Sequence, residues 1–565
     1  MRNYYGIDFE KKRAALLDCS AAKPIIAKVV ENADKAIGKS YAALRFSDYM
    51  MFSKSGDRKG YERYYFERRN DLSYISIAYW ITEDEKYRSP LEDLVFHICD
   101  EFSWCIPAHS LIWDDSSANN ILREVDLFQA ETARLLTDIY VMVGERLHSL
   151  VRDRIEIEIN RRIVDAFKYK EFHWLKPSCK TNWAAVCAGG VLAPLLTFGK
   201  DEEIEAILPS LYGAIEHFLE GFGDDGCCME GCAYWNYGFG YFVIFARFIL
   251  EYTAGKVNYF ERKKVKNIAT FMQRVRLGET RTVSFSDSLT DFSFSPGLFS
   301  YLKELYPDVI KLPPLKYGTL VGNVYSVKEL LWLDTDYKEE YFEESLSYFE
   351  NAEWYIKRYP KYSFAAKAGH NAEPHNHNDI GSFQIVTADE KIPLTDLGCG
   401  VYNAFTFDPE YRYKMVQNAS FGHSVPIINQ KYQLHGVEYA AKNISATENS
   451  FSFDMEGAYE VGLVKRLRRT FELLPDRIIL CDRVEYSEAT ESVTERFVST
   501  TKPEIGNGFI AIDGIKLMFD ETAFTANIST DSFESHRGSD RILVYLIDLL
   551  PKNERETEFR FEITT

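Results

Sequence analysis

Two periodicities divide this 565-residue chain. From about residue 10 to 335, apolar residues return at helical spacing. After Asp126-Leu127-Phe128-Gln129, Leu135, Ile139 and Met142 recur on one face, and Gly144 offers a stop. Asp126 and Gln129 have the spacing of a capping box, in which a carboxylate and an amide satisfy the first free backbone donors. Further apolar helices are expected over Trp183 to Phe198 and Tyr234 to Tyr252. Many antiparallel helices joined by short turns predict an α/α toroid of stacked hairpins, although no strict repeat marks it.

From about residue 345 the period falls to two. Phe451, Phe453 and Met455 alternate with Ser452, Asp454 and Glu456, and Phe559, Phe561 and Ile563 alternate with Arg560 and Glu562. Leu474-Pro475-Asp476-Arg477 reads as a turn before the run Ile478-Ile479-Leu480. Strand after strand without an intervening helix predicts an antiparallel β-sandwich and excludes a parallel α/β sheet. The boundary is expected in the charged stretch Asp334 to Glu344, giving an α-helical domain over 1–340 and a β domain over 341–565.

Composition agrees with two large cores: 46% of residues are hydrophobic and 15% aromatic. The formal net charge of −19 argues against nucleic-acid binding, which needs a basic face. An anionic partner would need a locally basic cleft; Arg58-Lys59, Arg63, Arg68-Arg69, Lys465-Arg466 and Arg468-Arg469 are the candidates. The start, Met1 to Asp8, has no apolar core or small-residue cleavage site, and no apolar run is long enough to cross a bilayer. Ten cysteines, Cys227-Cys228 and Cys232 among them, form neither a CxxC pair nor a small disulfide framework. A cytoplasmic protein without membrane partners is therefore expected. Its oligomeric state is not readable.

The chemistry concentrates in Glu373-Pro374-His375-Asn376-His377-Asn378-Asp379-Ile380-Gly381-Ser382-Phe383, followed by Asp396-Leu397-Gly398 and Gly422-His423-Ser424. The chain has 11 histidines, and His370, His375, His377 and His423 fall in this one region. Imidazole titrates near neutrality and is a common metal ligand, so the cluster points to proton transfer, metal binding or both. His375 and His377 would share a side in an extended segment. Either both bind metal, or one works on substrate while the other joins Asp396 and His423 around Zn²⁺, with Asp379 the competing carboxylate. In the helical half, Glu230-Gly231-Cys232-Ala233-Tyr234-Trp235-Asn236-Tyr237 places two tyrosines on one expected helical face, where either could act as acid or base. Asn182, opening an apolar helix, reads as an ordinary N-cap.

Together, Thr181-Asn182-Trp183, Glu230-Gly231-x-x-Tyr234-Trp235-x-Tyr237, the His375 block, Asp396-x-Gly398 and Gly422-His423-Ser424 resemble the heparinase II/III-type polysaccharide lyases. The resemblance runs from about Asp126 to His435. It implies an incomplete α/α toroid followed by an antiparallel β-sandwich, and β-elimination in uronate-containing polysaccharides. By resemblance Asn182 covers the substrate carboxylate, Tyr234 is the acid and possibly also the base, with Tyr237 the fallback, and His375 is base or charge stabiliser. His377, Asp396 and His423 match a structural metal site, Zn²⁺ being expected, without an organic cofactor. Trp183, Glu230, His370 and Arg412 are the expected substrate contacts.

One departure stands out. Many relatives carry His after the Asn, where this chain has Trp183; tryptophan cannot take a proton, and His370 is a candidate replacement. Glycosaminoglycans or their oligosaccharides are the expected substrates. Alginate or oligo-uronate cleavage, uronyl epimerisation and an inactive carbohydrate-binding protein are the alternatives.

Overall fold

The structure, a computed structural model, describes residues 4–111, 117–318, 328–403, 405–536 and 540–565; the first three residues of the Met1 to Asp8 segment lie outside this set. The chain divides into two compact units. The first comprises Met1–Gly221, Trp235–Ala269 and Ser293–Tyr341; the second comprises Phe222–Tyr234, Thr270–Phe292 and Phe342–Thr565. Two stretches of the helical half thus belong to the β-rich unit.

The first unit is helical. Its long helices include α1 (Lys59–Thr82), α2 (Leu127–Val143), α3 (Asn182–Phe198), α4 (Asp201–Glu220) and α5 (Gly240–Tyr252). Every residue of α3 from Ala184 to Leu196 is buried, as expected of a helix apolar on all sides, and α3 packs against α2, α4 and α5. Gly190 permits its closest approach: a Cβ there would lie 2.8 Å from Ala130 Cβ on α2. Asp126 caps α2, its Oδ1 accepting the Gln129 N–H at 2.7 Å. The reciprocal half of the expected capping box does not form, because the buried Gln129 amide donates to the Arg162 carbonyl at 3.0 Å. Arg68 and Arg69, candidates for a basic face, are buried on Glu101 at 2.9 and 2.7 Å.

The second unit holds the sheets. Leu346–Phe349, Trp354–Arg358, Tyr362–Lys367 and Phe383–Thr387 form one, in chain order. A second runs Glu504–Gly506, Phe509–Ile512, Ile515–Met518, Glu558–Thr564, Arg477–Glu485, Arg466–Leu474, Ser450–Asp454, Lys442–Ala446. A third runs Phe524–Glu534, Arg541–Pro551, Val493–Ser499, Ile427–Ile428. The strand pairs within these sheets are antiparallel. Leu474 pairs with Arg477, closing the hairpin at Pro475-Asp476.

Phe559, Phe561 and Ile563 point inward and Arg560 outward, the alternation the sequence predicts. Phe364 of the first sheet meets Phe471 of the second at 4.9 Å, and Phe497 of the third meets Phe561 of the second at 5.5 Å. The three sheets therefore share one core, in which each fully buried phenylalanine contributes about 2 kcal/mol of hydrophobic stabilisation. Ser452 and Asp454 are buried as well, because Arg468 covers them with bonds of 2.7 and 2.8 Å. Arg469 is buried on Asp482 and Glu495, so these arginines too are neutralised within the unit. No helix among the described residues is long and apolar enough to cross a membrane, and the ten cysteines are unpaired with one another.

Candidate active site

The second unit draws its catalytic candidates from three separate stretches of chain. Asp225 anchors the first, its Oδ2 accepting the Asn351 N–H at 2.7 Å. Gly398 fixes the second. It has φ +61°, and a Cβ on it would lie 2.3 Å from the Ser288 carbonyl oxygen. That close approach lets the Cys399 N–H donate to Ser288 O at 2.9 Å, while Ser284 Oγ donates to Asp396 O, also at 2.9 Å. Asp287, between these two serines, is thereby delivered to the histidine block.

His375 sits in a turn, not in the extended segment expected, with φ +58°, a left-handed conformation costly for a residue with a side chain. Arg412 holds it there: one terminal nitrogen donates to His375 O at 2.9 Å and Nε to Asn376 O at 2.9 Å. Arg412, expected to bind substrate, is buried, and its remaining bonds go to Thr406 O and Asp287. Its guanidinium serves the turn.

Asp287 joins both histidines. Its Oδ2 lies 2.7 Å from His375 Nδ1 and its Oδ1 3.1 Å from His377 Nε2. Tyr402 donates its hydroxyl to Asp287 Oδ2 at 2.9 Å and meets the Tyr234 hydroxyl at 2.7 Å. The rings of Tyr234 and His375 are 4.2 Å apart, and Glu230 Oε2 lies 3.5 Å from His375 Nε2. A hydrogen-bonded chain thus runs Tyr234, Tyr402, Asp287, His375. Burial alone would raise the Asp287 carboxyl; hydrogen bonds from His375 and His377 and the Arg412 charge outweigh it and hold the group well below the usual carboxylate range. Tyr234 is pushed the other way by burial and then by the Asp287 charge, so its hydroxyl keeps its proton. Tyr234, His375 and Tyr402 remain partly exposed over buried Glu230 and Asp287.

Beside this chain, His377, Asp379, Asp396 and His423 are fully buried with donor atoms within 4.8 Å of one another. His377 uses Nε2 on Asp287, while its Nδ1 is buried without a hydrogen-bond partner. Asp379 Oδ1 is 2.8 Å from Lys367 Nζ, and its Oδ2 has no hydrogen-bond partner. His423 Nδ1 faces Asp396 Oδ2 at 2.9 Å. Two imidazoles with carboxylates, one imidazole anchored on an outer carboxylate, fit a zinc-type ion. The residues present are suited to the expected metal.

The other expected residues are distributed as follows. Asn182 and Trp183 open α3 in the first unit; the N-cap is Thr181, and Asn182, buried, is the first helical residue rather than the cap. Tyr234 ends a short helical turn (Cys232–Tyr234), and Tyr237 lies in the π-helical turn Trp235–Phe239. The wider π turn removes the helical i,i+3 relation on which a shared face rested. Tyr237 belongs to the first unit, where its ring meets Tyr241 edge-on at 5.8 Å. His370 lies on the short strand His370–Asn371, its Nδ1 accepting the Ala372 N–H at 3.2 Å. Asp287 and Tyr402 escaped the sequence reading. The polar run Ser284-Phe285-Ser286-Asp287-Ser288 was the one local signal for Asp287.

No family model and no curated protein matches the sequence. Solved structures do. Heparinase III superposes with a TM-score of 0.61 at 14% identity, over 89% of this chain and 77% of that one. The chain has the fold of the heparinase-type polysaccharide lyases. A heparan sulfate lyase from Pedobacter heparinus gives 0.55 at 13% identity, over 95% of this chain and 82% of that one. Chondroitin AC lyase from Streptomyces coelicolor, in complex with chondroitin sulphate, gives 0.55 at 9% identity over 98% and 82%. The helical half followed by antiparallel sheets is this toroid-plus-sandwich architecture.

Proposed function

We propose that the protein is a polysaccharide lyase that cleaves uronate-containing glycosaminoglycans, of heparan sulfate, hyaluronan or chondroitin type, or their oligosaccharides, by β-elimination. The observation that carries this reading is the hydrogen-bonded chain from Tyr234 through Tyr402 and Asp287 to His375. Elimination removes the C5 proton of the uronate, forms the C4–C5 double bond and expels the glycosidic oxygen, which must be protonated. His375 takes the C5 proton, and the carboxylates of Asp287 and Glu230 stabilise the imidazolium formed. Tyr234, which retains its proton, supplies it to the leaving oxygen. Tyr402 relays charge between the two. Asn182 is assigned the substrate carboxylate, whose negative charge grows during proton removal.

His377, Asp396 and His423, with Asp379 as a further carboxylate, would hold Zn²⁺; the ion supplies a fixed positive charge that orders these side chains. Holding His377 also restrains the turn that presents His375.

A panel of heparan sulfate, hyaluronan, chondroitin, dermatan and alginate oligosaccharides tests the reading. Unsaturated uronate ends from a glycosaminoglycan support it. Cleavage of alginate alone moves the substrate class, inverted uronate without cleavage identifies an epimerase, and an unchanged polymer identifies a binder.

A further inference from the structure

We infer that the first unit carries a sugar-stacking subsite of its own, with Trp183 as platform and His109 as hydrogen-bonding arm, for an acidic pyranose ring. The inference rests on the lyase reading for the identity of the sugar. Its geometry is independent of the histidine block.

His109 lies on the short helix Pro107–Ser110, and its Nδ1 is 2.7 Å from Asp126 Oδ2, the free oxygen of the carboxylate that caps α2. A carboxylate accepts, so Nδ1 carries the hydrogen. Phe128 stacks on the imidazole at 5.3 Å with the planes 6° apart. These two contacts fix the ring and leave Nε2, which has no partner among the described residues. The Trp183 indole lies 4.8 Å from His109 and 4.6 Å from His173. Burial, then the charges of His109 and nearby lysines, lower His173 to about 4, so it flanks the indole as a neutral ring.

Trp183 differs from its neighbours in the same unit. Trp104, Trp174 and Trp235 are fully buried, and each donates its indole N–H to a backbone carbonyl at 2.7 to 2.8 Å. Trp183 is only partly buried, and its N–H has no partner among the described residues. A tryptophan placed for packing would be committed as the other three are. Here an indole face, an indole N–H and one oriented imidazole nitrogen stand together. A uronate ring offers what they require: an apolar C–H face for the indole, and hydroxyl and carboxylate oxygens for the two nitrogens.

The test measures Kd by calorimetry for unsulfated heparan, hyaluronan, chondroitin and oligomannuronate tetrasaccharides, in the full-length Tyr234→Phe protein to prevent turnover. Trp183→Ala and His109→Gln should each weaken the best of these about ten-fold or more. Trp183→Phe should stay near the parent, and melting temperatures should be unchanged. Parent-like affinity in both variants overturns the subsite and leaves the lyase reading intact. Loss of binding only where the protein also melts early, Trp183→Phe included, assigns the cluster to the core and overturns it too. If the unsubstituted protein neither cleaves nor binds any uronate tetrasaccharide, the lyase reading fails and the subsite with it.

Discussion

Asp287 Oδ2 lies 2.7 Å from His375 Nδ1, which places the hydrogen on Nδ1 and leaves Nε2 as the nitrogen able to take a proton. The same carboxylate reaches His377, so one buried group orients the proposed base and the nearest expected metal ligand. Asp287→Asn should lower kcat by about two orders of magnitude or more, with KM little changed and the acid limb of the pH–rate profile displaced. An equal loss at every pH with an unmoved profile would make Asp287 a packing residue.

Tyr234→Phe and His375→Ala should each lower turnover by about two to four orders of magnitude while melting stays near the parent. Tyr402→Phe breaks the link between them and should cost about ten-fold. Tyr237→Phe, in the first unit, is the comparison. Full activity in Tyr234→Phe with a dead Tyr237→Phe would exchange their roles.

Protein purified without a histidine tag should contain one divalent ion per chain, lost in His377→Ala. Chelation should lower both the melting temperature and activity, because the buried His377, Asp396 and His423 then lose a shared charge. Elemental analysis finding no metal, with full activity after chelation, defeats the metal proposal.

Glu131 on α2 is pushed up to about 7 by burial, with the Tyr237 and Tyr241 hydroxyls pulling it partly back. Below about 4.5, folded and unfolded chains both hold this proton. As pH rises from there to 7 the unfolded chain releases it first, so stability falls, and above 7 the loss is complete. Glu131→Gln should therefore match the parent near pH 4.5 and exceed it at pH 8, by on the order of 3 kcal/mol. Melting curves against pH check this; a gain independent of pH would exclude ionisation as the cause.

Periodicity located the elements that repeat. Helix α3 begins one residue from the expected start, and the alternation over 559–563 survives unchanged, because both record which side meets a core. The motif histidines were legible because imidazole is scarce in this chain. Asp287 and Tyr402 were not, because their relevance comes from tertiary approach: Gly398 against Ser288 brings Asp287 in, across more than a hundred residues of sequence. The left-handed turn at His375 was equally hidden, since Arg412, which stabilises it, reads in sequence as an ordinary surface cation. Arg68, Arg69 and Arg469 misled in the same way: a run of basic residues carries no mark of the buried carboxylates that neutralise it.

The most direct measurement is the structure of the product ends, by ultraviolet absorbance and mass spectrometry of glycosaminoglycan digests. The account requires a C4–C5 unsaturated uronate at each new non-reducing end, no added water, and loss of this product in Tyr234→Phe and His375→Ala. Saturated ends carrying the mass of water would show hydrolysis and contradict it.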